Sequence, residues 1–318
     1  MKTLSLMSGL LVLVLLLSAG CTRKEDTAAV PVKPVVVTTL YPLYEFARQL
    51  AGERMEVQLL LPPGVEPHHF EPTPDDLIRI HRSALFVYIG PFLEPWAERV
   101  ISGVDRQKVR VVAAAEGIPL LAAPAHGGEG HGAAHKHVHA THHDPHVWLD
   151  FAADQAMVAN LLAAFVAVDP AGEQQYRQRS AQLVQQLAAL DQRYRDGLAD
   201  CQSRVLLHAG HAAFGYLTHR YGLTYQAAAG VTAELEATPR RMAELVRQVH
   251  QYKVQAVFVE QLDSPRLAQT LASETGATVR RLHGAHNVGA DERQRGVNFI
   301  GLMDENLKQL QAGLACRN

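Results

Sequence analysis

Residues 169–201 limit the fold more than any other part of the chain. Tyr176, Leu183, Leu187, Leu190, Tyr194 and Leu198 recur at helical spacing, which places them on one stripe. The faces between carry Gln174, Gln175, Arg177, Gln178, Arg179, Gln185, Gln186, Arg193 and Arg195. Asp169 suits an N-cap, and Pro170 fits a first helical turn, where its missing N–H costs nothing. A helix of about 30 residues at about 1.5 Å each is a rod of roughly 45 Å. Such a rod outruns one compact domain and points to two lobes with a stiff connection.

Both flanks support that organisation. Before the rod, strands are predicted at 35–40, 57–61, 85–89 and 109–113, with helices at 43–51, 75–81 and 96–101 between them and a further apolar helix at 151–168. After it, strands at 205–207, 223–227, 256–260 and 278–282 alternate with helices at 212–221, 239–252, 265–275 and 299–315. Strands spaced by helices argue for parallel sheets. The fold class is therefore α/β: two pseudo-symmetric lobes with parallel sheets flanked by helices, joined by one long rigid helix. An internal echo supports the symmetry: Glu71-Pro72-Thr73-Pro74 and Glu236-Ala237-Thr238-Pro239 each precede a helix and then a strand. The lobes are assigned to 35–168 and 202–318, with the linking helix at 169–201.

The net charge of −2 gives no basis for a nucleic-acid partner or an anionic membrane surface. At the N-terminus Lys2 precedes an apolar run at 10–17, too short to span a bilayer. The following Ser18-Ala19-Gly20-Cys21 resembles the lipobox of bacterial lipoproteins. It implies a signal peptide at 1–21, lipidation of Cys21, and an extracytoplasmic protein, periplasmic or at the cell surface, anchored to a membrane. Residues 22–34 read as a tether. Export permits a disulfide between the two remaining cysteines, Cys201 and Cys316.

Histidine is the residue in excess. Seven of the 17 lie in a low-complexity loop at 122–143: His126, His131, His135, His137, His139, His142 and His143. Four others follow apolar strands or open ordered segments, two in each half: His68, His146, His211 and His283. Ligand sites of parallel sheets gather beyond the carboxyl ends of the strands. Four neutral imidazoles from such places suit a tetrahedral site for a borderline metal. Spacing alone does not separate them from their neighbours His69, His208 and His286. His81, His219 and His250 fall inside helices and read as solvated.

Several stretches together resemble the metal-binding receptors of bacterial zinc and manganese ABC importers, in the group with a rigid linking helix. They are Pro-Pro-Gly-Val-Glu-Pro-His68-His-Phe-Glu-Pro, Asp-Pro-His146-Val-Trp-Leu-Asp, His211-Ala-Ala-Phe-Gly-Tyr-Leu with Tyr221-Gly222-Leu223, and Phe258-Val259-Glu260 with the helix from Pro265. The resemblance selects His68 over His69 and His211 over His208. The family's fourth position often carries Asp in a Leu-Asp-Pro setting. Here Leu282-His283-Gly284 stands there, so the fourth ligand is His283, with His286 or a water as alternatives. Manganese receptors of the family pair two histidines with two carboxylates, and imidazoles in place of the carboxylates favour Zn2+. The His-rich loop is similar to that of zinc-specific members, which implies an accessory zinc-collecting role.

The resemblance implies a monomeric, non-enzymatic receptor that captures Zn2+ between its lobes and passes it to the permease of an ABC importer. Imidazoles bind metal only when neutral, so affinity is expected to fall as pH drops through about 6.5. The other readings are a manganese or iron receptor on the same fold, an adhesin or zinc store, and a zinc hydrolase. The last lacks support, because His208-Ala209-Gly210-His211 is without the glutamate of a His-Glu-x-x-His motif.

Overall fold

The computed structural model describes residues 33–123, 143–231 and 238–317. Cys21 and the histidines at 126, 131, 135, 137, 139 and 142 lie outside the described residues. The first half runs β1 (Val35–Thr38), α1 (Tyr41–Ala51), β2 (Glu56–Leu59), α2 (Pro74–Arg82), β3 (Leu85–Tyr88), α3 (Pro95–Gly103), β4 (Arg110–Ala113). Two long helices follow, α4 (Phe151–Val168) and α5 (Glu173–Gly197). The second half runs β5 (Val205–His208), α6 (Gly215–Arg220), β6 (Thr224–Ala227), α7 (Pro239–Tyr252), β7 (Ala256–Glu260), α8 (Arg266–Thr275), β8 (Thr278–Leu282), α9 (Ala290–Gln294), α10 (Phe299–Gly313).

Each half forms its own four-stranded parallel sheet, ordered β2-β1-β3-β4 and β6-β5-β7-β8. The order is the same in both, so the echo around Thr73 and Thr238 reflects repeated topology. Thr73 caps α2 by accepting from the Asp76 N–H, and the Asp76 carboxylate accepts from the Thr73 N–H in return. Thr238 caps α7 through the Arg241 N–H. In both sheets the first strand is internal, so chain leaving β1, β3, β5 and β7 collects at the carboxyl edges.

The rod is shorter than its sequence suggests. Regular helix spans 25 residues from Glu173 to Gly197, and Pro170–Gly172 forms a separate 3-10 turn. Asp169 does not cap it. Its carboxylate instead takes the Arg54 guanidinium at 2.7 and 3.0 Å and the Tyr176 hydroxyl at 2.6 Å, which ties the start of α5 to the end of α1. The predicted stripe is the buried one: Tyr176, Leu183, Leu187, Leu190, Tyr194 and Leu198 are no more than 1% exposed. At about 1.5–3 kcal/mol each, their burial amounts to a gross driving force of roughly 10 kcal/mol.

α5 binds both halves. Its Arg179 donates to the Ala51 carbonyl at the end of α1. Farther along, Arg193 pairs with Asp304 and the Tyr194 hydroxyl donates to the Met303 carbonyl, both on α10. Helix α4 is long and apolar enough to cross a membrane by length and composition, yet Met157, Val158, Leu161 and Phe165 are fully buried in the protein's own core. That core runs continuously through both halves, with Phe46 against Phe299 and Phe151 against Tyr194 at ring-centre distances of 5.2 and 4.9 Å. Cys201 and Cys316 form a disulfide across 115 residues of sequence, beside an antiparallel bridge between the same residues.

Candidate metal centre

Three of the four predicted histidines meet where the halves face each other. His68 lies on a 3-10 turn, Pro67–His69, that follows β2. The Glu66 side chain accepts from the His68 N–H and helps fix that turn. His146 precedes another 3-10 turn, Val147–Leu149, at the point where the chain re-enters ordered structure. The bridge between Ala122 and His143 closes the base of the intervening insertion. His211 lies just past the carboxyl end of β5.

The His146 Nε2 is 3.3 Å from both His68 Nε2 and His211 Nε2, and donor atoms of all three rings lie within 4.8 Å of one another. A tetrahedral zinc with Zn–N bonds of about 2.0–2.1 Å requires nitrogens about 3.3–3.4 Å apart. Two of the three Nε2–Nε2 separations therefore already match the edge length of such a tetrahedron. The ring centres are 5.2, 5.7 and 5.2 Å apart, at interplanar angles of 67°, 84° and 44°.

Two buried carboxylates set the tautomers. Asp144, 1% exposed, lies 2.8 Å from His146 Nδ1 and also accepts the His146 backbone N–H at 3.0 Å. Glu260, the last residue of β7 and also 1% exposed, lies 3.5 Å from His211 Nδ1 and 3.1 Å from His286 Nδ1. A carboxylate at Nδ1 holds the ring proton there and leaves the Nε2 lone pair for a metal. Each carboxylate is seated against a glycine. A Cβ on Gly215 would come within 2.1 Å of Asp144 Oδ2, and one on Gly284 within 1.9 Å of Glu260 Oε1. The glycine of the His211-Ala-Ala-Phe-Gly motif is thus space for the carboxylate behind His146.

Burial keeps His68 and His211 neutral. Burial, then the neighbouring His146 and His211, push His68 down to about 2. Burial outweighs the opposing pull of Glu260 and takes His211 down to about 3. The expected loss of neutral donors near pH 6.5 therefore does not apply to these two rings in the folded protein. His286 differs: burial alone would lower it, but the Glu260 carboxylate outweighs burial and raises it. Glu260, which burial alone would raise, is held well below the carboxylate range by His286 and His211.

His283 does not join the other three. Its Nδ1 accepts the Ala285 N–H at 2.9 Å, and its Nε2 lies 3.4 Å from Glu292. It lines a cavity of about 410 Å³ beside the edge strand β8, with Arg280, Arg281 and Glu292. The reason is the turn that follows. Ala285 adopts φ +56° in the left-handed region, and His286, three residues on from His283, is the one beside Glu260. Of the remaining rivals, His208 is fully buried in β5 and donates from Nδ1 to the His211 carbonyl, while burial pushes it down to about 4. His69 is exposed on the same turn as His68.

Sequence reasoning did not assign roles to Asp144 and Glu260. The signal was present: Asp144 stands two residues before His146, and Glu260 ends the apolar strand β7, which pairs with β5.

The loop from Gly284 to Val288 also fastens the halves together. Trp148 Nε1 donates to the Gly284 carbonyl at 2.7 Å, Tyr41 N–H to the His286 carbonyl at 3.1 Å and Gly64 N–H to the Val288 carbonyl at 3.0 Å. Asn287 donates to the carbonyls of Pro62 and Val65 at 2.6 and 2.9 Å.

With this geometry in place, comparison with known proteins is informative. The chain is 33% identical over 291 residues to the high-affinity zinc uptake system protein ZnuA of Bacillus subtilis, covering 89% of this chain and 88% of that protein. It is 32% identical over 314 residues to the zinc-binding lipoprotein AdcA of Streptococcus pneumoniae, covering 98% of this chain but only 61% of AdcA. Among solved structures, the Zn(II)-bound ZnuA-like domain of the same AdcA superposes with a TM-score of 0.75 at 29% identity, covering 89% of this chain and 99% of that domain. Residues 36–313 match the family described as ZnuA, zinc-uptake complex component A, periplasmic, and the chain belongs to that family.

Proposed function

We propose that this protein is an extracytoplasmic receptor that binds Zn2+ between its two lobes and delivers it to the permease of an ABC importer. The observation that carries this reading is the set of three Nε2 atoms, 3.3 Å apart along two edges, with their Nδ1 sides backed by buried carboxylates. Nitrogen donors at tetrahedral spacing favour Zn2+ over Mn2+, which prefers hard oxygen donors.

The metal ligands in this proposal are His68, His146 and His211 through Nε2, with His286 as the fourth. His286 supplants His283 because Glu260 engages its Nδ1 as it does that of His211, whereas both His283 nitrogens have partners elsewhere. Zinc binding displaces the His286 proton, and the charge on Glu260 then balances the metal.

Release follows local movement of the 284–288 loop and not a wide hinge, because five hydrogen bonds and a shared core fasten the halves and α5 spans both. The proposal includes a signal peptide at 1–21, a lipid anchor on Cys21, a monomeric state, lobes at 35–168 and 202–318, and an accessory zinc-collecting role for the histidines at 126–143. It makes the protein a carrier and not a hydrolase.

Native mass spectrometry of the mature protein lacking residues 125–143, offered Zn2+ and Mn2+ together, tests the reading. One retained Zn2+, lost on His146→Ala, is the expected result. Retained Mn2+, or no metal, overturns it.

A further inference from the structure

His211 faces two ways. Its Nε2 points toward His146, 3.3 Å away, and its Nδ1 toward Glu260, 3.5 Å away. On the Nδ1 side a second group of donors is assembled: atoms of His211, Glu260 and Asp263 all lie within 4.8 Å of one another. The topology explains the cluster. His211 follows β5, Glu260 ends the neighbouring β7, and Asp263 sits in the turn just beyond, its N–H bonded to the Glu260 carbonyl at 3.2 Å.

Three observations point to a cation there. Glu260 is 1% exposed, a buried carboxylate whose oxygens face His286 Nδ1 at 3.1 Å and His211 Nδ1 at 3.5 Å. His208 Nε2 is also buried, is without a partner among the described residues, and its lone pair is available because Nδ1 carries the proton donated to the His211 carbonyl. Gly210 keeps space between: a Cβ there would meet His208 Nε2 at 3.1 Å and Asp263 Oδ2 at 3.2 Å. Asp263 is exposed, so this cluster leads from solvent to His211.

We propose that His211 Nδ1, Glu260 and Asp263, with His208 Nε2 beside them, form an outer divalent-cation site through which Zn2+ passes on its way to and from the inner imidazole site. This rests on the inner site proposed above. A neutral imidazole has one lone pair and one proton. Binding at Nδ1 requires the proton on Nε2, and binding at Nε2 requires it on Nδ1, facing Glu260. Within one neutral ring the two positions exclude each other, so the outer site is a station and not a second store. Its mixed oxygen and nitrogen donors hold zinc less selectively than the inner set, as a station must.

The test is the rate of zinc exchange in the full mature chain. Stopped-flow mixing with Zn2+ gives loading, and mixing the loaded protein with excess chelator gives release. Asp263→Asn is expected to slow both by the same factor, roughly tenfold, as expected for loss of one charged ligand, so that their ratio holds. Gly210→Ala, whose Cβ crowds His208 and Asp263, is expected to do the same. If Asp263 only steers cations by its charge, loading slows, release does not, and affinity weakens. That result, or unchanged rates in both variants, overturns the proposal. A wild-type protein that fails to bind Zn2+ tightly refutes the inner-site reading instead, and the outer station with it.

Discussion

The most exposing test of the metal centre leaves every metal donor in place. Asp144→Asn keeps the size of the side chain behind His146 but removes its charge. Both partners are 1% exposed and the contact is 2.8 Å, so solvent does not screen the loss. A hydrogen bond to a charged group contributes about 1.5–3 kcal/mol and a neutral one about 0.5–1.5. The difference, about 1–2 kcal/mol, raises the zinc Kd roughly 5- to 30-fold, near the 10- to 100-fold range typical of residues that orient metal ligands. Gly215→Ala attacks the same contact from behind, because its Cβ would lie 2.1 Å from Asp144 Oδ2 and must displace the carboxylate. The two substitutions should therefore be non-additive, with Gly215→Ala costing less once Asp144 is replaced, because only the weaker neutral hydrogen bond is left to lose. Competition against a fluorescent zinc chelator at pH 7.5 measures all three variants, with circular dichroism of the metal-free proteins as a control. Folded variants whose Kd stays within twofold of wild type would refute the orienting role.

Other consequences are equally direct. His68→Ala, His146→Ala, His211→Ala and His286→Ala should each weaken zinc roughly 70- to 900-fold, since about 10–16 kcal/mol is shared among four ligands, whereas His283→Ala should stay near wild type in the same competition assay. The pH dependence of the Kd between pH 7 and 5 should show fewer protons displaced than the four that four free imidazoles would release. His68 and His211 are already neutral there and His286 gives up one, so a four-proton slope would contradict the electrostatics. Each of His68, His211 and His208, depressed to about 2, 3 and 4 in the folded chain, takes a proton near pH 6.5 when unfolded and so costs up to about 1.4 kcal/mol of metal-free stability per pH unit below that. Buried carboxyls oppose this: Glu94, pushed up to about 7, Asp263, up to about 6, and Asp154, raised well above its usual range, hold protons in the folded chain. The share of one ring is therefore read by difference: in denaturant titrations at pH 7, 6 and 5 the wild type should lose stability with falling pH more steeply than His68→Gln, and equal slopes would contradict it. Reduction of the Cys201–Cys316 disulfide, which closes a 115-residue separation, should lower stability by about 4–5 kcal/mol by its chain-entropy effect, read as a lower denaturation midpoint in reductant.

Much of this arrangement is legible in the sequence because it rests on local periodicity. Apolar runs and Thr-Pro starts predict strands and helices to within a few residues, and the rod's stripe is the face that packs. The ends of α5 are less legible. Asp169 looks like a cap, but Arg54, 115 residues earlier, competes for its carboxylate, and no local pattern reveals that contact. His68 and His211 come together because parallel strands deliver the chain beyond their carboxyl ends to one edge, which spacing foretells, and His146 joins them from the turn that leads into α4. The loop after β8 is different. Whether His283 or His286 faces the cleft depends on the left-handed turn at Ala285, a conformation non-glycine residues seldom adopt. Asp144 and Glu260 are hidden for another reason: an acid's role behind a ligand depends on which ring nitrogen it reaches, a tertiary fact.

The central claim is best tested by the crystal structure of the zinc-loaded protein with anomalous data across the zinc edge. The account predicts one strong peak bonded to Nε2 of His68, His146 and His211 at about 2.0–2.1 Å, with His286 completing the tetrahedron. A principal peak at His283 and Glu292, or on the histidines at 126–143 with the cleft vacant, would contradict it.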